Sequence, residues 1–236
     1  MNHSVFASDI AEFVGTAVLD TIGLTISNID ESLRKQMSLG KEIRCLGLIS
    51  SRTGAAGQIV ACDNAIKATD TRIISIDLPR DTKGWGGHGC YIVMGGQSPE
   101  DVRHAVTLAL SEIEKNASEV YISDAGHLEF AFSSGAFSAL NTAFDAPLGS
   151  AFGFLAASPA AIGLVLADRA CKSASIDIVR YMTPSMGTSH SNEVILAFSG
   201  SVSSVQTALR EAKMCGISLL RAMGSEPLSP GKTPYI

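Results

Sequence analysis

The chain has 236 residues, of which 46% are hydrophobic and only 17% are charged, and its formal net charge at pH 7 is −5. This acidic balance gives no electrostatic case for nucleic-acid binding. Charged residues usually make up about 25% of soluble domains, so their scarcity predicts apolar surface that contacts between subunits would cover. The five cysteines include no CxxC pair, which favours reduced cytosolic thiols over a disulfide framework.

The N-terminal segment does not resemble a targeting signal. Residues 1–14 lack both the basic region and the continuous apolar stretch of a secretion signal. Phe6, Ile10 and Phe13 are spaced as on one face of a short helix, and the alternative is a disordered tail. The sequence therefore predicts a separate tail at residues 1–11.

The first half of the chain predicts a mixture of strands and helices. Turn residues bound its apolar runs, and Asp30 and the Ser98–Asp101 pair are suited to begin helices. In chain order, the predicted elements are a strand at 19–27, a helix at 31–37, a strand at 44–50, a helix around 60–69, strands at 71–78 and 90–94 joined by a loop at 79–89, and a helix at 98–115.

One stretch of the second half raises the question of a membrane span. No charged residue occurs between Ala146 and Ala167, a length that could cross a bilayer. Two prolines and several glycines interrupt the stretch, so we interpret it as two buried elements joined at Ser158–Pro159. A loop at 183–192 and a final helix at 201–220 complete this half.

The two halves repeat one another. Residues 59–74 align with residues 164–179 at a shift of 105 positions, which places Asp63 on Asp168 and Lys67 on Lys172. Two long copies indicate two domains, because solenoids are built from many short repeats. The order of strands and helices in each copy predicts an α+β fold, with the first domain at 12–117 and the second at 118–236.

No sequence pattern nominates an active site. The segment GWGGHG at 84–89 matches a dinucleotide-binding fingerprint in letters, but a strand-like run follows it where that fingerprint requires a helix. His88 and Cys90 have no third metal ligand at a recognisable spacing. We therefore predict no catalytic residue, no cofactor and no metal, and the remaining alternative is an enzyme that uses His88.

Two pairs of equivalent features are candidates for function. The loops at 79–89 and 183–192 are rich in Gly, Ser, Thr and His. Trp85 either anchors its loop or blocks or lines an opening. Lys67 and Lys172 are either solvated helix lysines or residues of an interface that both copies use.

Several segments resemble the shell domains of bacterial microcompartments (BMC domains). Residues 46–75 are similar to the family's core, where a strand like ALGMIETRG leads to a helix containing AADAMVKAA. Residues 90–106, CYIVMGGQSPEDVRHAV, resemble the strand, turn and helix that follow. The strand and helix that usually end the domain come first here, at 19–37 and 126–144, as in circularly permuted members. The loop LPRDTKG at 78–84 is similar to that of tandem, trimer-forming members.

The resemblance implies a fold and an assembly. Each domain would be a permuted, ferredoxin-like α/β sandwich, and three two-domain chains would form a pseudohexagonal homotrimer. This tile would be a non-enzymatic part of a microcompartment shell in the cytoplasm, for propanediol or ethanol utilisation. The second copy departs from the family pattern at GSAFGFLAASP and ACKSAS, and the hexamer pore sequence KIGSG is absent.

The resemblance also implies roles for particular residues. Lys67 and Lys172 would lie at tile edges against other shell proteins, and Phe6, Ile10 and Phe13 would tether encapsulated enzymes. The two loops would surround pores for small hydroxylated metabolites, and the alternative is a gated component whose pore closes on binding a metabolite or metal. The implied pore residues are Lys83, Gly84, Trp85, Gly86, Gly87, His88, Gly187, Thr188, Ser189, His190 and Ser191.

Overall fold

The computed structural model describes residues 12–80, 87–116 and 119–229. The first domain contains five strands and three helices in its described part. They are β1 (Glu12–Ala17), β2 (Thr21–Ile26), α1 (Glu31–Gln36), β3 (Cys45–Ser51), α2 (Ala56–Lys67), β4 (Arg72–Asp77), β5 (Cys90–Gly96) and α3 (Pro99–Asn116).

The second domain repeats this order. Its elements are β6 (Val120–Ser123), β7 (Gly126–Ser133), α4 (Ser138–Phe144), β8 (Ala151–Ser158), α5 (Ala160–Ser173), β9 (Ile176–Met182), β10 (Val194–Gly200) and α6 (Val202–Ala222). The strand orders are β1-β2-β3-β5-β4 and β6-β7-β8-β10-β9, and all neighbouring strands are antiparallel. The identical topology confirms the predicted repeat and the α+β fold. The chain passes between the domains at residues 117 and 118, which lie outside the described residues, so the proposed boundary stays a prediction.

Each domain begins with a hairpin that the sequence did not reveal. The predicted strand at 19–27 is shorter, because Leu19 and Asp20 have positive φ angles in the turn between β1 and β2. The helical interpretation of Phe13 was wrong: Phe13 lies on β1, paired with Leu24. β1 is an edge strand with no fully buried residue, so its sequence carries little apolar pattern.

The uncharged stretch of the second half forms two elements, as predicted. β8 is buried along its whole length, and α5 follows it after a cis Ser158–Pro159 peptide bond. β8 lies between β7 and β10, and α5 and α6 pack against it. Within the described ranges, no helix has the length and hydropathy needed to span a membrane.

The two domains share a hydrophobic core. The largest buried cluster contains Ile49 and Ile59 of the first domain together with Phe144 and Phe154 of the second. The Phe144 ring lies 5.5 Å from that of Phe152 and 5.3 Å from that of Phe154. Because aromatic side chains bury large apolar areas, this junction is part of the folded core and fixes how the domains meet.

Candidate functional site at the domain junction

The second predicted pore loop is held by its own hydrogen bonds. Thr183 and Met186 exchange backbone hydrogen bonds of 2.8 and 2.9 Å, and the Thr188 hydroxyl donates to the Thr183 carbonyl at 2.9 Å. Thr188 and Ser191 are buried, so they support the loop from inside. The exposed predicted residues are Gly187, Ser189 and His190.

The first predicted pore loop is described only at its two ends. Lys83, Gly84, Trp85 and Gly86 lie outside the described residues. Gly87 packs close to the His127 ring: a Cβ atom built on it would lie 2.8 Å from His127 Cε1. His88, which we predicted to line a pore, is buried instead.

His88 joins the two domains. Its Nδ1 atom lies 2.8 Å from Oε1 of Glu193, the residue immediately after the second loop. Both side chains are almost fully buried. The structure therefore brings together the ends of the two loops that the repeat made equivalent.

A second carboxylate supplies a helix cap across the junction. Glu129 on β7 accepts hydrogen bonds through Oε1 from the N–H groups of Ala55 and Ala56, at 3.0 and 2.7 Å. These groups belong to the N-terminus of α2, where no side chain of the helix itself serves as a cap. A negative charge is favourable there, because the helix dipole is positive at its N-terminus.

The electrostatics of the cluster follow from burial and from the two carboxylates. Burial lowers the pKa of His88, but the charge of Glu193, its hydrogen bond and the charge of Glu129 outweigh burial and raise the pKa to about 9. His127 lies 3.7 Å from Glu193 Oε2, and burial keeps its pKa below the ordinary value. At neutral pH, His88 is thus a buried cation and His127 is neutral.

A small cavity is lined by His88, His127 and Glu129. The space open to the centre of a water molecule is about 10 Å³, which is room for about one water. In the described part of the chain, four buried atoms of the cluster have no hydrogen-bonding partner: His88 Nε2, His127 Nδ1, Glu129 Oε2 and Glu193 Oε2. Among the same residues, no group of three or more His, Cys, Asp or Glu side chains has a geometry that could hold a metal ion.

A wide groove lies where the two loops leave their sheets. It contains about 1170 Å³ of empty space, open solvent included. The first domain contributes Leu78 and Pro79, and the second contributes Tyr181, Met186 and Ser189. The groove is therefore bounded by both strand-to-strand loops.

The two predicted interface lysines have different surroundings. Lys67 Nζ lies 2.9 Å from the Gly135 carbonyl oxygen of the second domain and 2.9 Å from Asp63 Oδ2. Lys172 pairs with Asp168 at 2.7 Å on the surface. Lys67 thus contributes to the junction within the chain, and a role of either lysine at a tile edge stays a prediction.

Asp63 connects the two domains. The sequence analysis identified it only as a position of the repeat, aligned with Asp168. Its carboxylate accepts hydrogen bonds from the N–H groups of Phe137, Ala139 and Leu140, at 3.0, 3.0 and 3.3 Å. These groups form the N-terminus of α4, which has no cap from its own side chains. The first domain therefore caps a helix of the second, as Glu129 does in the other direction.

Comparison with known proteins decides the family. The model of the BMC domain matches residues 45–125 and 151–224. The chain is a member of the BMC domain family. It is 45% identical to the bacterial microcompartment shell protein PduB of Citrobacter freundii over 218 residues, which are 92% of this chain and 81% of that protein.

Solved structures agree with this membership. The crystal structure of EtuB from Clostridium kluyveri superimposes with a TM-score of 0.92 at 43% identity, covering 95% of this chain and 98% of that chain. A trimeric bacterial microcompartment shell protein PduB gives a TM-score of 0.90 at 40% identity, covering 95% and 99%. The resemblance inferred from the sequence is confirmed, and the chain is a structural shell protein of a bacterial microcompartment. The alternative of a gated sensor finds no support in these comparisons.

Proposed function

We propose that three copies of this BMC chain form a pseudohexagonal, non-enzymatic tile that admits small hydroxylated metabolites to a compartment for propanediol or ethanol utilisation. Two domains of identical topology in each chain supply six similar units to a ring of three chains. The relative that superimposes with a TM-score of 0.90 is described as trimeric. The shared hydrophobic core would keep the two domains of each chain in a fixed orientation within the tile.

The proposal that metabolites pass through the tile rests on the groove between the two loops. Its second-loop side presents Gly187 and the Ser189 hydroxyl, and Arg180 and Tyr181 add polar groups. Such a lining can exchange hydrogen bonds with a diol or an alcohol, whereas an apolar solute would have to displace bound water without replacing its hydrogen bonds. Leu78, Pro79 and Met186 add apolar groups to the lining, so the groove suits small solutes that carry both hydroxyl groups and a short carbon chain.

A bulky side chain in the groove is expected to slow entry of a diol. In closed shells that enclose an enzyme acting on propane-1,2-diol, Met186→Trp should reduce turnover about tenfold, an added barrier of about 1.4 kcal/mol. Turnover in broken shells should be unchanged. Met223→Trp is the matched control, because Met186 and Met223 are similarly exposed, at 55% and 54%, and Met223 does not line the groove. Equal entry in both variants and in the wild type would place the passage elsewhere.

We also infer that the N-terminal segment tethers encapsulated enzymes. Phe6 and Ile10 lie outside the described residues. Phe13 projects from β1 with 57% of its surface exposed, so it is available for a contact without being part of a helix. A phenylalanine side chain buries a large apolar area when a partner covers it.

Deletion of residues 2–11 is expected to leave tile assembly intact and to release enzyme cargo from purified shells. The deletion ends before β1, so every described strand is retained. Co-sedimentation of enzyme activity with shells measures the effect. Cargo retained at the wild-type level would contradict the tether.

A further inference from the structure

Three buried side chains at the domain junction line one small cavity, and each has a polar atom without a hydrogen-bonding partner in the described residues. They are His88 of the first domain, 2% exposed, and Glu129 and His127 of the second, 1% and 6% exposed. We propose that this cavity is a binding site for one water molecule, which accepts a hydrogen bond from His88 and donates hydrogen bonds to Glu129 and His127. The water is thereby shared between the two domains, at the end of the first loop.

The size of the cavity limits the ligand to a single heavy atom. The space open to the centre of a water molecule is about 10 Å³, close to the smallest volume that holds one water. A diol or a phosphate ion has several heavy atoms and does not fit. The choice therefore lies between water, an ammonium ion, a halide ion and a metal ion, and the groups around the cavity decide it.

The three atoms without partners are one donor and two acceptors. His88 Nδ1 donates to Glu193 Oε1 at 2.8 Å, and because nearby carboxylates raise the pKa of His88 to about 9, its Nε2 atom carries a proton too. Glu129 Oε1 accepts from the start of α2, which leaves Oε2 for a ligand. The lowered pKa of His127 keeps this ring neutral, and we assign its proton to Nε2, 3.7 Å from Glu193, so that Nδ1 accepts. Water can accept one hydrogen bond and donate two, whereas ammonium cannot accept and a halide cannot donate.

The charges around the cavity favour a neutral ligand. Among the described residues, the cations His88 and Arg52 are balanced by the carboxylates of Glu129 and Glu193, so an added ion would be buried without a counter-charge. A metal ion also lacks a set of three ligands in these residues. The 3.6 Å between His88 Nε2 and Glu129 Oε2 is too long for a direct hydrogen bond, but one water can bond to both atoms.

The strand register places an apolar side chain where it can test this site. Val120 and Ile122 of β6 pair with Glu129 and His127 of β7, and both apolar residues line the cavity. Val120 is 2% exposed, so a larger side chain at this position has no solvent to enter. An isoleucine at position 120 adds one carbon atom, which takes about the space of the water.

The first test is a high-resolution crystal structure of the full-length protein, from crystals grown without ammonium salts. The site predicts one peak of electron density at about 2.7–3.2 Å from His88 Nε2, Glu129 Oε2 and His127 Nδ1. A cavity without a peak would overturn the proposal. So would a peak at about 2.0–2.2 Å from the same atoms, which is the distance of a bound zinc ion.

The second test compares Val120→Ile with Val60→Ile, since Val60 is equally buried in the same core and does not line the cavity. Magnetic relaxation of the solvent should count about one fewer long-lived water per chain in Val120→Ile, and no change in Val60→Ile. Val120→Ile should also unfold at a lower urea concentration than the wild type, because His88 and Glu129 lose a hydrogen-bonding partner. If Val120→Ile were instead more stable, the added carbon would have filled an empty cavity, and the proposal would be wrong.

Discussion

Replacement of Glu193 by alanine is expected to lower the free energy of unfolding by about 3–5 kcal/mol, because it leaves a buried cation without its partner. His88 and Glu193 are almost fully buried and their nearest atoms are 2.8 Å apart. His88 would keep only the more distant Glu129, 3.6 Å away. The alternative for the variant is to keep His88 neutral, which forfeits the stabilisation that the bound proton of His88 contributes in the wild-type protein.

The measurement is urea denaturation at pH 6.5 and one fixed protein concentration, since assembly makes stability depend on concentration. Glu211→Ala is the control. Glu211 forms an ion pair with Arg169 in which both side chains are partly exposed, and such pairs contribute less than about 1 kcal/mol. If Glu193→Ala were no more destabilising than Glu211→Ala, the buried cluster would have no role in joining the domains.

The two junction histidines should together make the free energy of unfolding of the wild-type protein highest near pH 6.5. The folded protein holds the His88 proton up to about pH 9, whereas an unfolded chain releases it near 6.5. The stabilisation is complete below pH 6.5 and is lost as the pH rises toward 9, by about 3 kcal/mol. His127 has the opposite sign: its pKa is lowered, so its contribution is present above pH 6.5 and decreases as the pH falls.

Unfolding free energies measured between pH 5 and pH 10 test this profile. The groups that face His88 are Glu193, Glu129, His127 and the cavity residue Arg52. Removal of the Glu193 charge removes the main attraction for the His88 proton, so Glu193→Ala should lose most of the alkaline slope. A wild-type stability that stays flat between pH 6.5 and pH 9 would show that His88 is not held as a cation.

The repeat, most of the strands and helices and the family could be predicted from the sequence, because each is written in local patterns. The apolar runs gave β3 and β5 close to their observed bounds, and the capping residue Asp30 marked the start of α1. The hairpins that open each domain were missed because β1 and β6 are short strands at sheet edges. No residue of β1 is fully buried, so β1 shows little apolar alternation, and β6 has only four residues, although three of them are buried.

The junction cluster could not be predicted from local sequence patterns, because its contacts join residues that are distant in sequence. His88 and Glu193 are 105 positions apart, and Glu129 is 74 positions from Ala55. One signal was available: Glu129 and Glu193 are single carboxylates within or beside apolar strand runs, where a charge is rarely buried unless it is paired. Glu129 also breaks the repeat, since its equivalent is Ile22.

The arrangement of helix caps bears on whether the two domains could exist as separate proteins. Each domain lends a carboxylate to the other, Asp63 in one direction and Glu129 in the other. A half expressed from its own gene would have a helix end without its acceptor and an open apolar face. In the complete chain, N–H groups at the starts of α1 and α5 donate to Asp30 and Asn192 of their own domains. The chain can therefore fold before it meets a neighbour. The contact between the two domains thus depends on their covalent fusion, whereas the contact between chains can form reversibly.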